Sequence, residues 1–283
     1  MSILVFGKTG QVARELAARG GVICLGRDDA DLSDPDACAA VIAATDATAV
    51  INAAAYTAVD RAEDEEALAT SINGHAPAAM ARAAVARGLP FVQISTDYVF
   101  DGSGDAPWHP DDAVAPLGAY GRSKLVGEQG VRAAGGTCAI LRTSWVFSAH
   151  GANFVKTMLR LSEDRDRLTI VADQIGGPTW AGDIADTCLS MARAMQQGQS
   201  GGTYHLSGGP DVSWADFARE VFTRTGRKVD VVDIPSAEYP TPAKRPANSR
   251  LDCTSLRRDF DLARPDWRVG LQSVLKDLEG ASS

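Results

Sequence analysis

Tyr120 and Lys124 stand four residues apart in a stretch, Tyr120 to Ala134, that reads as a helix. Residues at that spacing share one helix face. An ammonium beside a phenol favours the phenolate, so such a tyrosine can pass a proton to or from a substrate oxygen. Alone, the pair is also what an ordinary surface helix carries. Ser95-Thr96-Asp97 closes an apolar run, Phe91 to Ser95, of strand length. Ligands of open α/β sheets sit beyond the carboxyl ends of strands, where the Thr96 hydroxyl can bond the same carbonyl that Tyr120 protonates. The third stretch is Gly7-Lys8-Thr9-Gly10-Gln11-Val12-Ala13, directly after the apolar run Ile3 to Phe6. Missing side chains permit a tight turn and close approach of a pyrophosphate, and the N-terminus of the next helix attracts its charge. The spacing is G-x-x-G-x-x-A, and Ala13 in the third place still allows close helix–strand packing. A plain two-glycine turn would look the same. The position between first strand and first helix favours nucleotide binding through Gly7, Gly10, Gln11 and Val12.

These groups need a scaffold that gathers strand ends. Apolar runs at Ile3–Phe6, Val22–Leu25, Ala49–Asn52, Phe91–Ser95 and Cys138–Arg142 alternate with helical stretches at 11–19, 62–70, 73–87 and 120–134. A further helix begins near Pro35, with Ser33 as its cap. The alternation predicts βαβ units and a Rossmann-type, doubly wound parallel sheet whose strands are covered on both faces. The second half is less regular. Pro and Gly cluster at 176–178, 208–210 and 235–246, Trp214 to Thr225 reads as an amphipathic helix, and Tyr239 to Arg250 as a loop. The expected organisation is a nucleotide-binding domain over 1–146, to which 180–206 returns. A smaller C-terminal substrate-binding part then comprises 147–179 and 207–283.

Composition narrows the class. The chain has 283 residues, 45% hydrophobic and 23% charged, with a net charge of −8. That is a globular mix without the basic stripe of a nucleic-acid binder. No apolar run of about 18 residues exists, so no membrane partner is expected. No secretory leader is read at the start. Five widely spaced cysteines (Cys24, Cys38, Cys138, Cys188, Cys253) form neither a disulfide framework nor a zinc motif, which points to a reducing cytoplasm. The four histidines are scattered, and no spacing of His, Asp or Glu identifies a metal site.

Taken in order, the motifs resemble the extended short-chain dehydrogenase/reductases. They are Gly7–Val12, Asn52 to Asp60, Ser95 to Phe100, Tyr120 with Lys124, Arg142 to Val146, Asp173-Gln174 with Gly177-Pro178-Thr179, and Arg245 to Leu251. Within that group the match, from Ile3 to about Leu251, is to the dTDP-4-dehydrorhamnose reductase family. The resemblance implies an NAD(P)-dependent oxidoreductase that reduces the 4-keto group of dTDP-4-dehydro-β-L-rhamnose to dTDP-L-rhamnose, a precursor of cell-surface polysaccharide. Tyr120 would be the proton donor, Lys124 the residue holding the nicotinamide ribose, and Thr96 the hydroxyl partner. Ala55, Tyr56 and Thr57 would contact the cofactor, and Asp31 and Leu32 would lie near the adenine. Asp97 and Trp145 would touch the sugar. Asn73 matches a helix asparagine of the wider superfamily, and a structural role fits it equally.

After the second strand, where an acid often reads the ribose of NAD, the sequence is Leu25-Gly26-Arg27-Asp28. An arginine there suits a 2′-phosphate, so NADPH is the expected cofactor, with NADH also used. Asp28 or Asp29 could still reach back to the ribose. The resembled family binds magnesium at a dimer interface; Glu15 is a candidate by that analogy alone, and a homodimer stays an open expectation. An acidic chain must gather cations locally to hold a dTDP-sugar. Lys244, Arg245 and Arg250 crowd the proline-rich loop, and Arg245, Asn248 and Arg250 are the expected contacts there. A solvated basic loop would have the same composition. Two rivals remain: a nucleotide-sugar epimerase or dehydratase, disfavoured because Tyr98 follows Thr96-Asp97, and a non-catalytic NADP-binding subunit, disfavoured because Tyr120, Lys124 and Thr96 occur together.

Overall fold

The computed structural model describes residues 2–281. Strands Ile3–Phe6 (β1), Val22–Leu25 (β2), Ala49–Asn52 (β3), Phe91–Thr96 (β4) and Cys138–Thr143 (β5) join the strand Gly202–Leu206 in one sheet. The order is 202–206, β5, β4, β3, β1, β2, and every pairing is parallel. From β1 the chain builds β2 on one side, then returns to build β3 on the other. That reversal opens a crevice at the carboxyl ends of β1 and β3.

Helices Gln11–Arg19 (α1), Pro35–Ala44 (α2), Glu66–Thr70 (α3), Ala76–Ala86 (α4) and Ala119–Ala134 (α5) complete the first unit. On one sheet face Phe6, Phe91 and Ile140 pack with Ile42 of α2, Met80 of α4 and Val131 of α5. On the other, Val5, Ile51 and Leu141 meet Leu16 of α1 and Ile184 and Met191 of the helix Ala181–Gln196. Each such side chain, fully buried, stabilises the fold by about 1.5–3 kcal/mol.

Three local features differ from the sequence reading. β2 is the sheet edge, and Ile23 is 47% exposed, because no strand or helix follows on that side to cover both its faces. The cap of α2 is Asp34, not Ser33: its carboxylate accepts the Ala37 N–H at 3.0 Å, placing Pro35 in the first turn. The two alanine-rich helices are welded by a π-helical turn, Ser71–His75, that buries Asn73.

The remainder has its own core. Strands Arg167–Val171 and Asp230–Ile234 pair in parallel. With helices Phe154–Leu161, Trp214–Arg224 and Trp267–Ala281 they enclose Phe147, Met158, Phe217, Trp267 and Leu271. Helix Thr254–Phe260 turns back, and its Leu256 joins the core of the large sheet. Residues 207–281 therefore serve both cores; residues 1, 282 and 283 of the expected domains lie outside the described region. Within the expected loop, Asn248–Ser249 form a short strand beside Ile175–Gly176. No helix of the described residues is long and apolar enough to cross a membrane.

Candidate active site

α5 is pressed hard against its neighbours. A Cβ at Gly121 would strike the carbonyl of Tyr98, and one at Gly127 the carbonyl of Asn73. Glycine at these two places is what lets the helix carry Tyr120 and Lys124 to the end of β4. Asn73, 1% exposed, ties the pieces together. Its Oδ1 accepts the Tyr56 N–H at 2.8 Å, and its Nδ2 donates to the Tyr56 carbonyl and to Ser123 Oγ, both at 3.0 Å. The segment after β3 is thus fixed to the helix of Tyr120, and the π-turn that presents Asn73 is of a kind that recurs at functional sites.

At the end of β4 the Thr96 hydroxyl accepts the Tyr98 N–H at 3.2 Å and donates to Asp97 Oδ1 at 3.1 Å. It also faces the phenol of Tyr120, against which Tyr98 stands edge-on with ring centroids 5.5 Å apart. Lys124 Nζ donates to the Ile94 carbonyl at 2.7 Å. Burial and the Asp97 carboxylate push Tyr120 up to about 12, with the Thr96 hydroxyl opposing. This corrects the expectation that Lys124 lowers it: the ammonium is turned to the Ile94 carbonyl, and desolvation dominates the phenol. Burial also pulls Lys124 down to about 8, opposed by Glu128, and pushes Asp97 up to about 6, opposed by the nearby hydroxyls of Ser249 and Thr96. Asp97 Oδ2 is buried without a partner. The cluster therefore holds a protonated phenol, a hydroxyl and a poised carboxyl at one strand end, a set able to protonate and orient a carbonyl oxygen.

Beside it lies a cradle for a nucleotide. Gly7 has φ +121, and a Cβ there would sit 3.2 Å from Ala13 Cβ, so both the backbone conformation and the close packing favour glycine. Nothing lies within 4 Å of a Cβ placed on Gly10, and α1 has no side-chain cap, which leaves its first-turn N–H groups for phosphate oxygens. Gln11 accepts a hydrogen bond from Asn153 at 3.0 Å, and Val12 is buried. Ala55 and Tyr56 are partly buried and Thr57 is exposed, all beyond β3. Beyond β2, Arg27 is exposed. Asp29 is folded back onto the Gly26 N–H at 2.8 Å, Asp31 accepts the Ser33 N–H at 2.9 Å, and Leu32 joins the core.

The expected substrate residues divide. Trp145 lies just past β5 with φ +49, a backbone conformation strained for an aromatic residue, and its ring stacks on Trp214 at 3.6 Å. Arg245 is paired with Asp60 at 2.8 Å, and Arg250 reaches Asn248 Oδ1 at 3.1 Å. Asn248 is turned inward: its Nδ2 holds the carbonyls of Ser103 and Ala106 at 3.3 and 2.8 Å. Lys244 stands in solvent. Sequence reasoning missed Ser249, Trp214 and Asn153. Each acts across a long loop, and only Asn153 carries a local signal, as the cap of the helix that follows it.

Glu15 is already engaged within this chain: its carboxylate accepts from Arg19 at 2.9 Å, and the same guanidinium holds Asp186 at 2.5 Å. Among the described residues no group of three potential ligands could hold a metal.

Residues 1–279 match the family model described as RmlD substrate binding domain. A dTDP-4-dehydrorhamnose reductase of Sinorhizobium fredii is 45% identical over 97% of each chain, and one of Escherichia coli K12 is 40% identical over 98% of each. The crystal structure of a dTDP-4-dehydrorhamnose reductase from Clostridium acetobutylicum superposes with a TM-score of 0.92 at 38% identity, covering 99% of this chain and 100% of the other. That of the Bacillus anthracis enzyme in complex with NADP gives 0.91 at 33% identity, covering 98% and 100%. With the crevice, the glycine turn and near-complete alignment in agreement, the chain belongs to the RmlD substrate binding domain family, the family of the dTDP-4-dehydrorhamnose reductases.

Proposed function

We propose that this protein reduces the 4-keto group of dTDP-4-dehydro-β-L-rhamnose to give dTDP-L-rhamnose, with NADPH as the preferred cofactor. The observation that carries the reading is the meeting of the Tyr120 phenol and the Thr96 hydroxyl at the end of β4, beside the open glycine turn. A relative 33% identical over nearly the whole chain supports it, having been crystallised with NADP. When bound, the nicotinamide supplies the hydride.

The chain's own residues do the rest. Tyr120, kept protonated by burial, gives its proton to the C4 oxygen as negative charge grows there. Thr96 bonds the same oxygen and aligns it. Lys124 holds the nicotinamide ribose, and Gly7, Gly10, Gln11 and Val12 receive the diphosphate with the N-terminus of α1. Ala55, Tyr56 and Thr57 line the cofactor's flank, Asp31 and Leu32 its adenine end, and exposed Arg27 meets the 2′-phosphate. Asp97 and Trp145 orient the sugar. Arg250 binds the sugar's diphosphate, Arg245 joins it by leaving Asp60, and Asn248 aims Arg250. Such a reaction belongs in the cytoplasm, where NADPH and nucleotide sugars are made.

The test is loss of reduced-nicotinamide absorbance with purified dTDP-4-dehydrorhamnose, using NADPH deuterated at C4. The expected result is one NADPH consumed per sugar, with deuterium at sugar C4. No consumption at saturating sugar would overturn the reading.

A further inference from the structure

Beneath the crevice lies a charged network that the proposed chemistry does not use. Glu128 is 0% exposed and Arg142 1%. Arg142 grips the carboxylate with two prongs, Nε to Oε1 at 2.8 Å and Nη2 to Oε2 at 2.7 Å, the strongest geometry available to the pair. Its third nitrogen donates to the Pro110 carbonyl at 3.1 Å and to His205 Nε2 at 3.4 Å. His205 Nδ1 faces the Trp108 carbonyl at 3.0 Å, so Nδ1 carries the proton and Nε2 accepts. Burial and Arg142 push this histidine down to about 3, leaving it neutral.

Stability alone does not account for such a pair, since apolar replacements of buried ion pairs are often neutral or stabilising. Its placement is informative. Tyr120, Lys124 and Glu128 are successive fourth residues along α5, and each meets one of three consecutive residues of β4. Lys124 holds the Ile94 carbonyl at 2.7 Å, Glu128 accepts the Ser95 hydroxyl at 2.6 Å, and Tyr120 faces Thr96. We propose that Glu128, gripped by Arg142, is a positioning residue: it locks Ser95, and with it Thr96, against α5, and sets a carboxylate one helical turn from Lys124. The inference rests on the proposed role of Lys124 in holding the cofactor.

The other ionisable groups around α5 are otherwise engaged. Glu66 is paired with Arg122, Glu63 accepts the Ala119 N–H, and His75 and Arg82 are exposed. Arg61 is paired with Glu65, and Arg132 with Glu128 itself. Asp97 and Tyr98, in the turn after β4, act on Tyr120 or on each other, whereas Glu128 is the charge that acts on Lys124.

The experiment measures NADPH binding by fluorescence across pH, together with steady-state kinetics, for wild type, E128Q, E128D and S95A. Wild-type affinity is expected to fall as pH rises through the titration of Lys124. In E128Q that fall should come at lower pH. E128D keeps the charge and should restore the position of the fall but not kcat, because the shorter side chain cannot span Ser95 and Arg142. S95A leaves the ion pair intact; its kcat should drop roughly tenfold with KM for NADPH and the pH of the fall unchanged. An E128Q fall coincident with wild type, under a pH-independent loss, would overturn the charge role, and S95A with wild-type kcat would overturn the positioning role. If E128Q does not fold, E128D and S95A decide. Should wild type bind NADPH yet reduce no nucleotide sugar, the proposed function fails while the binding profiles still judge this inference.

Discussion

Thr96, Asp97 and Lys124 are 6%, 2% and 4% exposed, and each has its geometry set by backbone groups within a few residues or by a helix that glycines bring into contact. Across the site, Glu238, Tyr239 and Lys244 of the proline-rich loop stand in solvent, and Arg245 is held by one half-exposed carboxylate, Asp60. The first region is built to fix atoms before any ligand arrives. The second holds its charges at the surface with few internal partners. In the proposed reaction the division is useful: bond making needs positions held tightly, whereas capture of a diphosphate needs arginines that can exchange an internal acid for a ligand.

Substitutions can sharpen or break this contrast. The largest effect is expected for Tyr120→Phe. Removing a general acid typically costs 10²–10⁴-fold, so kcat should fall by about that range while the Kd for NADPH, measured by fluorescence, hardly moves. Asp97→Asn comes next and touches stability. The folded carboxyl is raised from 3.8 to about 6, so the folded protein binds protons more readily than the unfolded chain between those values. The contribution of this one group to stability is therefore highest below about pH 4, declines as pH rises to about 6, and stays at the lower level above it. Asp97→Asn should raise stability at pH 7 by about 2–3 kcal/mol and give little gain at pH 4, as read by denaturant unfolding at both pH values. An equal gain at both would show that the buried charge is not what strains the crevice.

The loop should respond differently. Arg250→Ala is expected to raise KM for the nucleotide sugar about tenfold, with kcat nearly kept, and the difference should shrink as salt rises. Arg27→Ala, at the opposite end of the cofactor, is the smallest. It should lower the ratio of kcat/KM for NADPH over NADH by roughly three- to tenfold, mainly through the NADPH KM. An unchanged ratio would remove Arg27 from the 2′-phosphate.

The same contrast explains what was legible in the sequence. Tyr120, Lys124, Thr96 and the Gly7–Ala13 turn signal themselves because their spacing follows helix and strand periods, and strand ends gather at the crevice by topology. The parallel sheet was legible for the same reason. The exposed edge of β2 was not, since an apolar run does not say whether a neighbour exists. Nor was the inward turn of Asn248, or the Arg245–Asp60 pair spanning 185 residues, because both depend on loops folding over one another. The pKa of Tyr120 is not legible in the sequence for a related reason. Spacing places Lys124 beside it but says nothing of the Ile94 carbonyl that takes the ammonium.

The most direct test is a single-turnover measurement of hydride transfer, with enzyme in excess and both ligands saturating, for Tyr120→Phe and Arg250→Ala alongside wild type. A crevice for chemistry and a loop for capture predict a transfer rate reduced by about 10²–10⁴-fold in Tyr120→Phe and close to wild type in Arg250→Ala. A Tyr120→Phe enzyme that transfers hydride at the wild-type rate, or an Arg250→Ala enzyme as slow as Tyr120→Phe, would contradict it.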